Sequence, residues 1–405
     1  MLSKQYPFKK SLCSKDKDFS KIEVVMIDNK VLYWVLYQIN KPPFVSHGKI
    51  TPPQKVLDLF ASKDLNLDSL QVDRTWSSQK HCNDHGIRSN TVQISSKLIS
   101  PLVRQVARSK TPLFYLVYGA VFCKESHIID QWIRHHINEG VEHFILVDNC
   151  GDPSDGAVLQ PYVEKGLVSV ILDKSRHAQK RLLIERILPL AKNIASWLIL
   201  GDLDEFFYST EKNSTLAQVI RQKFEPNNCG NIVTPMLNFG TSGHKRNPAS
   251  VIASNIKRAD YSKRNKDFPG FIYTKTISRI DNIGKPHIHY TYIDTKSGRL
   301  SCIATNFDKT PTLYEDVMHL RGQIYFDEKQ IKKLLIRQNH YGLQSEEFFF
   351  LVKAKRGDVN ENDREVGYRD RKFFNTYNHN DLEDLTLFNK NDTLTGLGLR
   401  AFYPH

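Results

Sequence analysis

The run LFYLVYGAVFC (113–123) decides the fold, because it is an uninterrupted series of apolar, aromatic and β-branched residues. Such a run is typical of a strand that is buried on both faces, as in a parallel sheet. It is followed by SHIIDQWIRHHINEG (126–140), whose apolar residues recur at helical spacing and which ends at Gly140, a typical C-cap residue. Together the two segments predict the first strand and helix of an α/β unit.

The same alternation continues to residue 202. Further strands are predicted at HFILVD (143–148), LVSVIL (167–172) and WLILGD (197–202), with helices at AVLQPYVEKG (157–166) and HAQKRLLIERILPLAKN (177–193). Strands that alternate with helices in this way favour a parallel sheet with right-handed crossovers. We therefore expect a Rossmann-type, mostly parallel sheet flanked by helices.

The remaining chain is less regular. Strands are expected at 231–240 and 271–280, a basic, mobile substrate loop between them, and helices at 326–338 and 345–355. Residues 1–110 are interpreted as a β-containing accessory segment with a hairpin around Asn29 and Lys30. The predicted organisation is an accessory segment (1–110), a catalytic domain (111–357) and a polar C-terminal tail packed on that domain (358–405).

The composition of the chain says more about its possible binding partners than about the reaction that it catalyses. The 405-residue chain is 40% hydrophobic, as is ordinary for a globular protein, and carries a formal net charge of +13. A positive charge of this size favours anionic partners, namely nucleotide diphosphates, acidic glycans, anionic lipid surfaces or nucleic acid. A basic surface that is only solvated and has no specific partner is equally compatible with it. The N-terminus has no apolar core, and VLYWVLY (31–37) is too short to span a bilayer. The six cysteines contain no C-x-x-C pair. These features predict a cytoplasmic protein, and peripheral contact with an anionic membrane is compatible with its charge.

Polar residues cluster where the predicted strands end. Parallel α/β sheets bind ligands at that edge, and here it carries Glu125, Asp148, Asp173, Asp202 and Asp204. Neither G-x-G-x-x-G nor G-x-x-x-x-G-K-[ST] is present in the sequence, so the usual dinucleotide and P-loop cradles are missing. The site is therefore expected to rely on acidic residues.

The sharpest motif is GDLDEFF (201–207), which places Asp202 and Asp204 two residues apart at the end of a strand. In extended backbone the two carboxylates would share one face and hold Mg²⁺ or Mn²⁺ against a diphosphate. A D-x-D alone is weak, since Asp16 and Asp18 form another in a charged tail. The ordinary alternative is a pair of aspartates that cap a loop.

As an ensemble, several blocks resemble glycosyltransferase family 92 and related family-2-like enzymes of the GT-A fold. They are YGAVFCKESHIIDQWIRHHINEGVEHFILVDNCGDPSD, the glutamine of HAQKR, WLILGDLDEFF, LNFGTSGH, KTISRIDNIGKPHIH and QNHYGLQSEEFFFLVKAKRG. The blocks keep the family's order along the chain and leave residues 1–110 uncovered. The resemblance implies that Asp202 and Asp204 hold the metal and the donor phosphates. It also implies that Asp148 contacts the base or ribose, unless it only caps its turn, and that Glu125 lies at the nucleotide edge.

The resemblance gives further residues a role. Gln179 and Arg181 would face the uridine diphosphate, although they also fit a solvated helix face. His340 matches a late histidine that completes the metal shell in GT-A enzymes, and the alternative is a core histidine. His287 and His289 alternate along a predicted strand. Either could contact the acceptor, or neither could.

The general base is the weakest point of the resemblance. Inverting transfer needs a base to deprotonate the acceptor hydroxyl. The family often has an acid in the segment that reads SVIASNIKRAD here, and this chain has Ser254 and Asn255 at that place. The candidate bases are therefore Asp260, Asp281 and Glu346.

The sequence thus predicts a metal-dependent glycosyltransferase using Mn²⁺ or Mg²⁺. It would move a sugar, with inversion, from a nucleotide-sugar, UDP-linked by expectation, to a hydroxyl of a glycan, lipid-glycan or protein. No nucleic acid partner is expected. The first alternative is a nucleotidyltransferase, and the second is a degenerate glycosyltransferase fold that binds glycans or acts as a scaffold.

Overall fold

The computed structural model describes residues 21–27, 30–37, 73–75, 90–93, 112–175, 178–262, 271–305, 322–356 and 369–396. The strands are β1 Lys21–Ile27, β2 Lys30–Tyr37, β3 Asp73–Thr75, β4 Asn90–Gln93, β5 Phe114–Phe122, β6 His143–Asp148, β7 Val168–Leu172, β8 Ala195–Gly201, β9 Glu205–Ser209, β10 Cys229–Asn238, β11 Lys257–Arg258, β12 Phe271–Arg279, β13 Ile283–Pro286, β14 Thr291–Ile293, β15 Leu300–Ile303, β16 Gln323–Tyr325, β17 Ile336–His340 and β18 Leu382–Glu383.

The helices are shorter than the sequence pattern suggests, since π-helical turns interrupt some of them. The α-helices are α1 Ser126–Asn138, α2 Pro153–Glu164, α3 Gln179–Leu182, α4 Leu188–Ile194, α5 Leu216–Val219, α6 Val251–Ser254, α7 Glu328–Ile331, α8 Glu346–Phe348, α9 Ala354–Arg356, α10 Arg371–Tyr377 and α11 Thr386–Gly396. The π-helical turns are Leu183–Ile187, Ile220–Phe224 and Phe349–Lys353, and 3₁₀ turns cover Glu225–Asn227, Ile280–Asn282 and Thr295–Ser297.

Strands β5 to β8 form the parallel half of the central sheet, in the order β7-β6-β5-β8. All of their pairings are parallel, as the alternation of strands and helices predicts. Helix α2 begins at Pro153, earlier than predicted, because Asp152 caps it by accepting a hydrogen bond from the Ser154 amide. Gly119 lets the sheet and a helix approach closely, since a Cβ there would lie 2.3 Å from Ile187. The predicted α/β class is confirmed.

The second half of the sheet is mixed, and here one prediction is wrong. Strands β12, β10, β17 and β9 continue the sheet from β8, and only β10 and β17 are parallel within that series. The predicted helix at 326–338 is limited to α7, and the chain then enters β17 between β10 and β9. The apolar spacing around residue 331 is helical, but burial between two strands from distant parts of the chain overrides it. The predicted helix at 345–355 is observed as α8, a π-helical turn and α9.

The two ends of the chain differ in how they relate to this sheet. Strands β1 and β2 pair antiparallel within a separate four-stranded sheet, whereas Asn29, at the predicted turn, lies outside the described residues. At the other end, β18 pairs with β11. Lys390 of α11 is buried against Glu139, with 3.0 Å between Nζ and Oε1. Residues 382–390 therefore contact the α/β domain, although the predicted domain boundaries stay a prediction.

Candidate active site

A tight turn between β8 and β9 forms the centre of the site. Asp202 to Asp204 occupy this turn, so the expected extended backbone at the D-x-D is wrong. The turn requires Gly201, because a Cβ there would lie 2.2 Å from the Tyr118 hydroxyl. That hydroxyl donates a hydrogen bond to the Asp202 carbonyl. As a result, the two aspartates point towards different partners.

Asp202 is held by residues of the sheet and of a nearby helix. Its Oδ1 accepts a hydrogen bond from Gln179, and its Oδ2 lies 3.0 Å from Nζ of Lys275. Lys275 belongs to β12, is only 2% exposed, and also lies 3.2 Å from Glu205 Oε1. The charge of Lys275 is therefore shared between the buried Glu205 and Asp202, whose side chain is 29% exposed.

Asp204 has a second lysine and a histidine as partners. Lys353 donates to Asp204 Oδ2 at 2.7 Å, and His340 Nε2 lies 3.6 Å from Oδ1. Burial by itself would raise the pKa of Asp204, but the charges of Lys353 and His340 outweigh it and hold that pKa well below its usual value. Asp204 is therefore an ionised carboxylate near neutral pH.

Glu205, which follows the D-x-D, belongs to the site although the sequence analysis gave it no role. It is fully buried, and one oxygen accepts a hydrogen bond from the Asp202 amide at 3.1 Å. Burial raises the pKa of Glu205 to about 8, with the charges of Asp202 and Asp204 adding to the effect and Lys275 opposing it. A nearby divalent cation would favour its ionised form.

Among the described residues, Asp148, Cys150 and Asp155 meet closely enough to share a cation, and so do Asp204, Glu205 and His340. Only the second group contains a residue of the D-x-D. Each of its members offers one ligand atom, and these atoms lie within 4.8 Å of one another; we call this second group the acidic cluster. Asp202 is not part of it. Two carboxylates and an imidazole match the ligands that Mn²⁺ accepts. The residues present thus fit a divalent ion, and Glu205 is an additional candidate ligand. The ligand role that the sequence analysis gave to Asp202 stays a prediction.

The nucleotide edge predicted from the sequence lies at the ends of β5 and β6. Glu125 is buried and pairs with Arg356, with 2.6 Å between Oε1 and Nη1. Asp148 caps its own turn, because its Oδ1 accepts hydrogen bonds from the amides of Cys150 and Gly151. Asp148 therefore has the ordinary capping role that was its alternative, and its contact with a base or ribose stays a prediction.

The helix after β7 brings only one of its two candidates to the site. Gln179 is buried and reaches Asp202, as described above. Arg181 instead pairs with Glu185 one helical turn later at 3.1 Å, in an exposed position. This contact matches the solvated helix face that was the alternative for Arg181.

Comparison with protein families decides the class. A model described as Glycosyltransferase family 92 matches residues 121–340, which is more than half of the 405 residues. The chain belongs to glycosyltransferase family 92. The family to which the sequence blocks point is thereby confirmed, and the sheet described above confirms its α/β class.

Solved structures add little to the family 92 assignment. S. aureus TarS (residues 1–349) is similar over 41% of this chain and 47% of its own, with 10% identity and a TM-score of 0.27. A 4-diphosphocytidyl-2C-methyl-D-erythritol synthase is similar over 53% of this chain and 98% of its own, with 13% identity and a TM-score of 0.24. The family 92 chain thus spans about half the length of the TarS chain. TM-scores this low support no conclusion about function. The comparison with curated proteins gave no match.

The three candidate bases of the family 92 chain occupy different places. Asp281 follows β12 beyond Arg279, which pairs with Trp197 near the start of β8. Asp281 therefore lies at the end of the sheet opposite to the D-x-D, and there it forms an ion pair with Arg299. This position argues against a role as the general base.

The other two candidates lie nearer the site. Asp260 follows Ala259, whose amide bonds the carbonyl of Asn238 beside His340. Glu346 begins the helical segment that carries Lys353 and pairs with Arg371 at 3.3 Å. Asn255, where an acid was expected, is fully buried and donates hydrogen bonds to two backbone carbonyls. That position is structural in this chain.

The sequence analysis gave no role to three positively charged residues of the site. Lys275, Lys353 and Arg356 each neutralise an acid that the sequence had singled out. Lys353 opens the K-x-x-x-G of the C-terminal block, so the resemblance contained a signal for it. Lys275 likewise opens the block KTISRIDNIGKPHIH, but within an ordinary strand pattern it was given no role.

Among the described residues, no helix is long and apolar enough to cross a membrane.

Proposed function

We propose that this family 92 chain transfers a sugar from a UDP-linked donor to a hydroxyl of a glycan, a lipid-glycan or a protein, with Mn²⁺ or Mg²⁺ as cofactor. The observation that carries the proposal is the acidic cluster, in which Asp204, Glu205 and His340 meet where β8 ends. Ligands of open α/β sheets bind at that edge. Family membership supplies the reaction class, glycosyl transfer.

His340 is oriented for a ligand role. Its Nδ1 lies 2.8 Å from Oδ1 of Asn238, and an amide oxygen can only accept, so Nδ1 carries the proton. Nε2 lies on the side of Asp204, where a bound cation would replace the proton that makes His340 a cationic partner of this carboxylate. Such outer contacts commonly fix the ring of a metal-binding histidine. When bound, the divalent ion would neutralise the donor diphosphate and stabilise UDP as the leaving group.

The cations of the chain itself support the same leaving group. Lys353 is 13% exposed and can exchange Asp204 for a phosphate oxygen, whereas buried Lys275 has no such freedom. Direct displacement with inversion also needs a base within reach of the acceptor hydroxyl. We propose Asp260 or Glu346 for that role, because Asp281 lies at the other end of the sheet.

UDP release tests the proposal. The full chain is incubated with UDP-glucose, UDP-galactose, UDP-N-acetylglucosamine and UDP-N-acetylgalactosamine in Mn²⁺, with and without EDTA. Release of UDP from at least one donor that stops with EDTA is expected. A parallel incubation with UTP and the corresponding sugar 1-phosphates tests the nucleotidyltransferase alternative, which predicts release of pyrophosphate there and no release of UDP from the UDP-sugars. Metal-independent release would contradict the cofactor.

A binding module without transfer is the alternative that one observation favours. Lysines neutralise Asp202 and Asp204, so the site is electrostatically satisfied without any metal. Such a module would bind UDP or a glycan but release no UDP from any donor. A thermal-shift response to UDP that is the same with Mn²⁺ and with EDTA would support it.

Location and further partners rest on the sequence alone. Contact with an anionic membrane surface follows only from the net charge of +13, and the cytoplasmic location only from the N-terminal pattern. Both stay predictions.

A further inference from the structure

A group of aromatic and imidazole rings has no part in the transfer step proposed above. Its members come from β12, from β14 and from the link between β13 and β14; we call them the aromatic shelf: Tyr273, His287, His289, Tyr290 and Tyr292. Tyr273 stacks on His289, and His287 stacks on Tyr290, with ring centroids 4.4 Å apart in both pairs. Tyr290 meets Tyr292 edge to face at 5.1 Å. His287 and His289, whose ring centroids lie 6.4 Å apart, join the two groups into one series of ring contacts.

The aromatic shelf combines open rings with a fixed base. Tyr273 is 40% exposed and Tyr292 is 41% exposed, whereas Tyr290 is buried. Tyr290 is held from below by Gly322, where a Cβ would lie only 2.5 Å from its ring. The hydroxyls of Tyr290 and Tyr292 are hydrogen-bonded at 3.2 Å. Exposed aromatic rings on a rigid support are typical of a surface that binds something.

The shelf borders the candidate active site. Tyr273 and Lys275 are two residues apart on β12, so their side chains leave the same face of the strand about 7 Å apart. Lys275 in turn binds Asp202. The charges of Lys275 and His340 both act on His289. A ligand lying on Tyr273 would therefore lie on the side of the sheet where Lys275 reaches Asp202.

The chemistry of the shelf suits an uncharged sugar. The face of an aromatic ring is electron-rich and attracts the polarised C–H groups on one side of a pyranose, while tyrosine hydroxyls can bind its hydroxyls. Burial lowers the pKa of His289 to about 3, and nearby Lys275 adds to the effect, so this imidazole is neutral at physiological pH. Its buried Nδ1 has no hydrogen-bond partner among the described residues.

We propose that the aromatic shelf is the acceptor subsite and that it binds a neutral pyranose stacked on Tyr273 and flanked by Tyr292. The proposal rests on the proposed function, because it assigns the second substrate of the same transfer. It narrows the acceptor to a molecule that presents an uncharged sugar ring.

Saturation-transfer NMR on the full chain tests this subsite. The probes are the methyl glycosides of β-glucose, β-galactose, α-mannose and N-acetyl-β-glucosamine. At least one should receive saturation from the protein, and Tyr273→Ala should weaken its binding about threefold to tenfold. Tyr273→Phe should retain it. The control is Tyr377→Ala, since Tyr377 is a comparably exposed tyrosine on α10. No binding of any probe, or equal binding by Tyr273→Ala, would overturn the proposal.

Two further measurements separate the possible failures. Tyr273→Ala should keep the wild-type thermal shift with UDP and Mn²⁺, because it changes only the acceptor side. If the wild type itself gives no UDP response, the proposed function fails whatever the glycosides do. If phosphatidylcholine vesicles bind the wild type but not Tyr273→Ala, and no glycoside binds, the shelf is a membrane contact and the acceptor subsite is wrong.

Discussion

Asp202 and Asp204 are separated by one residue, yet they occupy different electrostatic surroundings. Asp202 pairs with Lys275, which comes from the middle of the sheet and is almost completely buried. Asp204 pairs with Lys353, which comes from the last helical segment of the domain and remains partly exposed. The difference teaches that a D-x-D motif can combine a structural carboxylate with an exchangeable one. We expect Asp202 to hold the turn together and Asp204 to work on the ligand.

The largest effect should follow from Asp204→Asn. Losing this carboxylate removes one ligand of the acidic cluster, so Mn²⁺-dependent UDP release should fall about 1000-fold, as expected when several kcal/mol of transition-state stabilisation are lost. Steady-state UDP release is the measurement, and circular dichroism checks the fold. Asp18→Asn, in the other D-x-D, is the matched control and should change nothing. Undiminished release by a folded Asp204→Asn protein would remove Asp204 from the site.

This division between the two aspartates could not have been predicted from the sequence. The four parallel strands were predictable, because each is a local apolar run followed by a helix. Lys275 lies 73 residues from Asp202, and Lys353 lies 149 residues from Asp204, so their pairing depends on long-range topology. The same reason explains the missed strand β17, whose neighbours β10 and β9 lie about 100 or more residues earlier in the chain.

The site was likewise only partly predictable. The position of Asp204 and His340 beside one another agrees with the family resemblance. Glu205 lies inside the quoted motif GDLDEFF but was given no role, because it begins a segment that reads as a core strand. Asn255 is a second example of what the sequence could not predict. It stands where an acid was expected, and its buried hydrogen bonds to two backbone carbonyls are not visible in the sequence. Local patterns thus located the edge of the sheet, and tertiary contacts decided which side chains meet there.

The second largest effect should be on stability, and it tests the structural role of the buried lysine. Lys275→Met leaves Asp202 and Glu205 without their shared cation inside the protein, which should cost about 3–5 kcal/mol of the free energy of unfolding. Lys353→Met removes a lysine that is 13% exposed and leaves His340 beside Asp204, so it should cost less, about 1–3 kcal/mol. Chemical denaturation of both variants without metal makes the comparison. Equal losses would show that the two pairs do not differ as described.

A smaller effect is expected from the histidine of the acidic cluster. His340→Ala should raise the Mn²⁺ concentration needed for half-maximal UDP release at least about tenfold, since even outer contacts of a metal site can be worth that much. Asn238→Ala, which frees the ring of His340, should shift it in the same direction but less. The melting temperature of the metal-free protein should barely change. A lower melting temperature with an unchanged Mn²⁺ requirement would identify His340 as a core residue.

The smallest expected effect is the change in Mn²⁺ affinity when Lys353 loses its charge, and its direction is the informative part. The ammonium group of Lys353 lies 2.7 Å from Asp204 Oδ2 and also donates to the carbonyl of Gly342 at 2.7 Å. This positive charge repels any cation that approaches Asp204, so Lys353→Gln should tighten Mn²⁺ binding by about fivefold, the equivalent of about 1 kcal/mol. The same substitution removes a charge that the donor diphosphate would meet, so UDP binding in the presence of Mn²⁺ should weaken. Isothermal titration of Mn²⁺, and then of UDP into the Mn²⁺-loaded protein, measures both steps.

Lys353→Arg is the control, since it keeps the charge and should leave Mn²⁺ binding near the wild-type value. If Lys353→Gln weakens both steps, the lysine stabilises the fold of the site, and the exchange of Asp204 for phosphate is wrong. Opposite shifts are expected only if one ammonium group serves the carboxylate before the donor binds and the diphosphate afterwards.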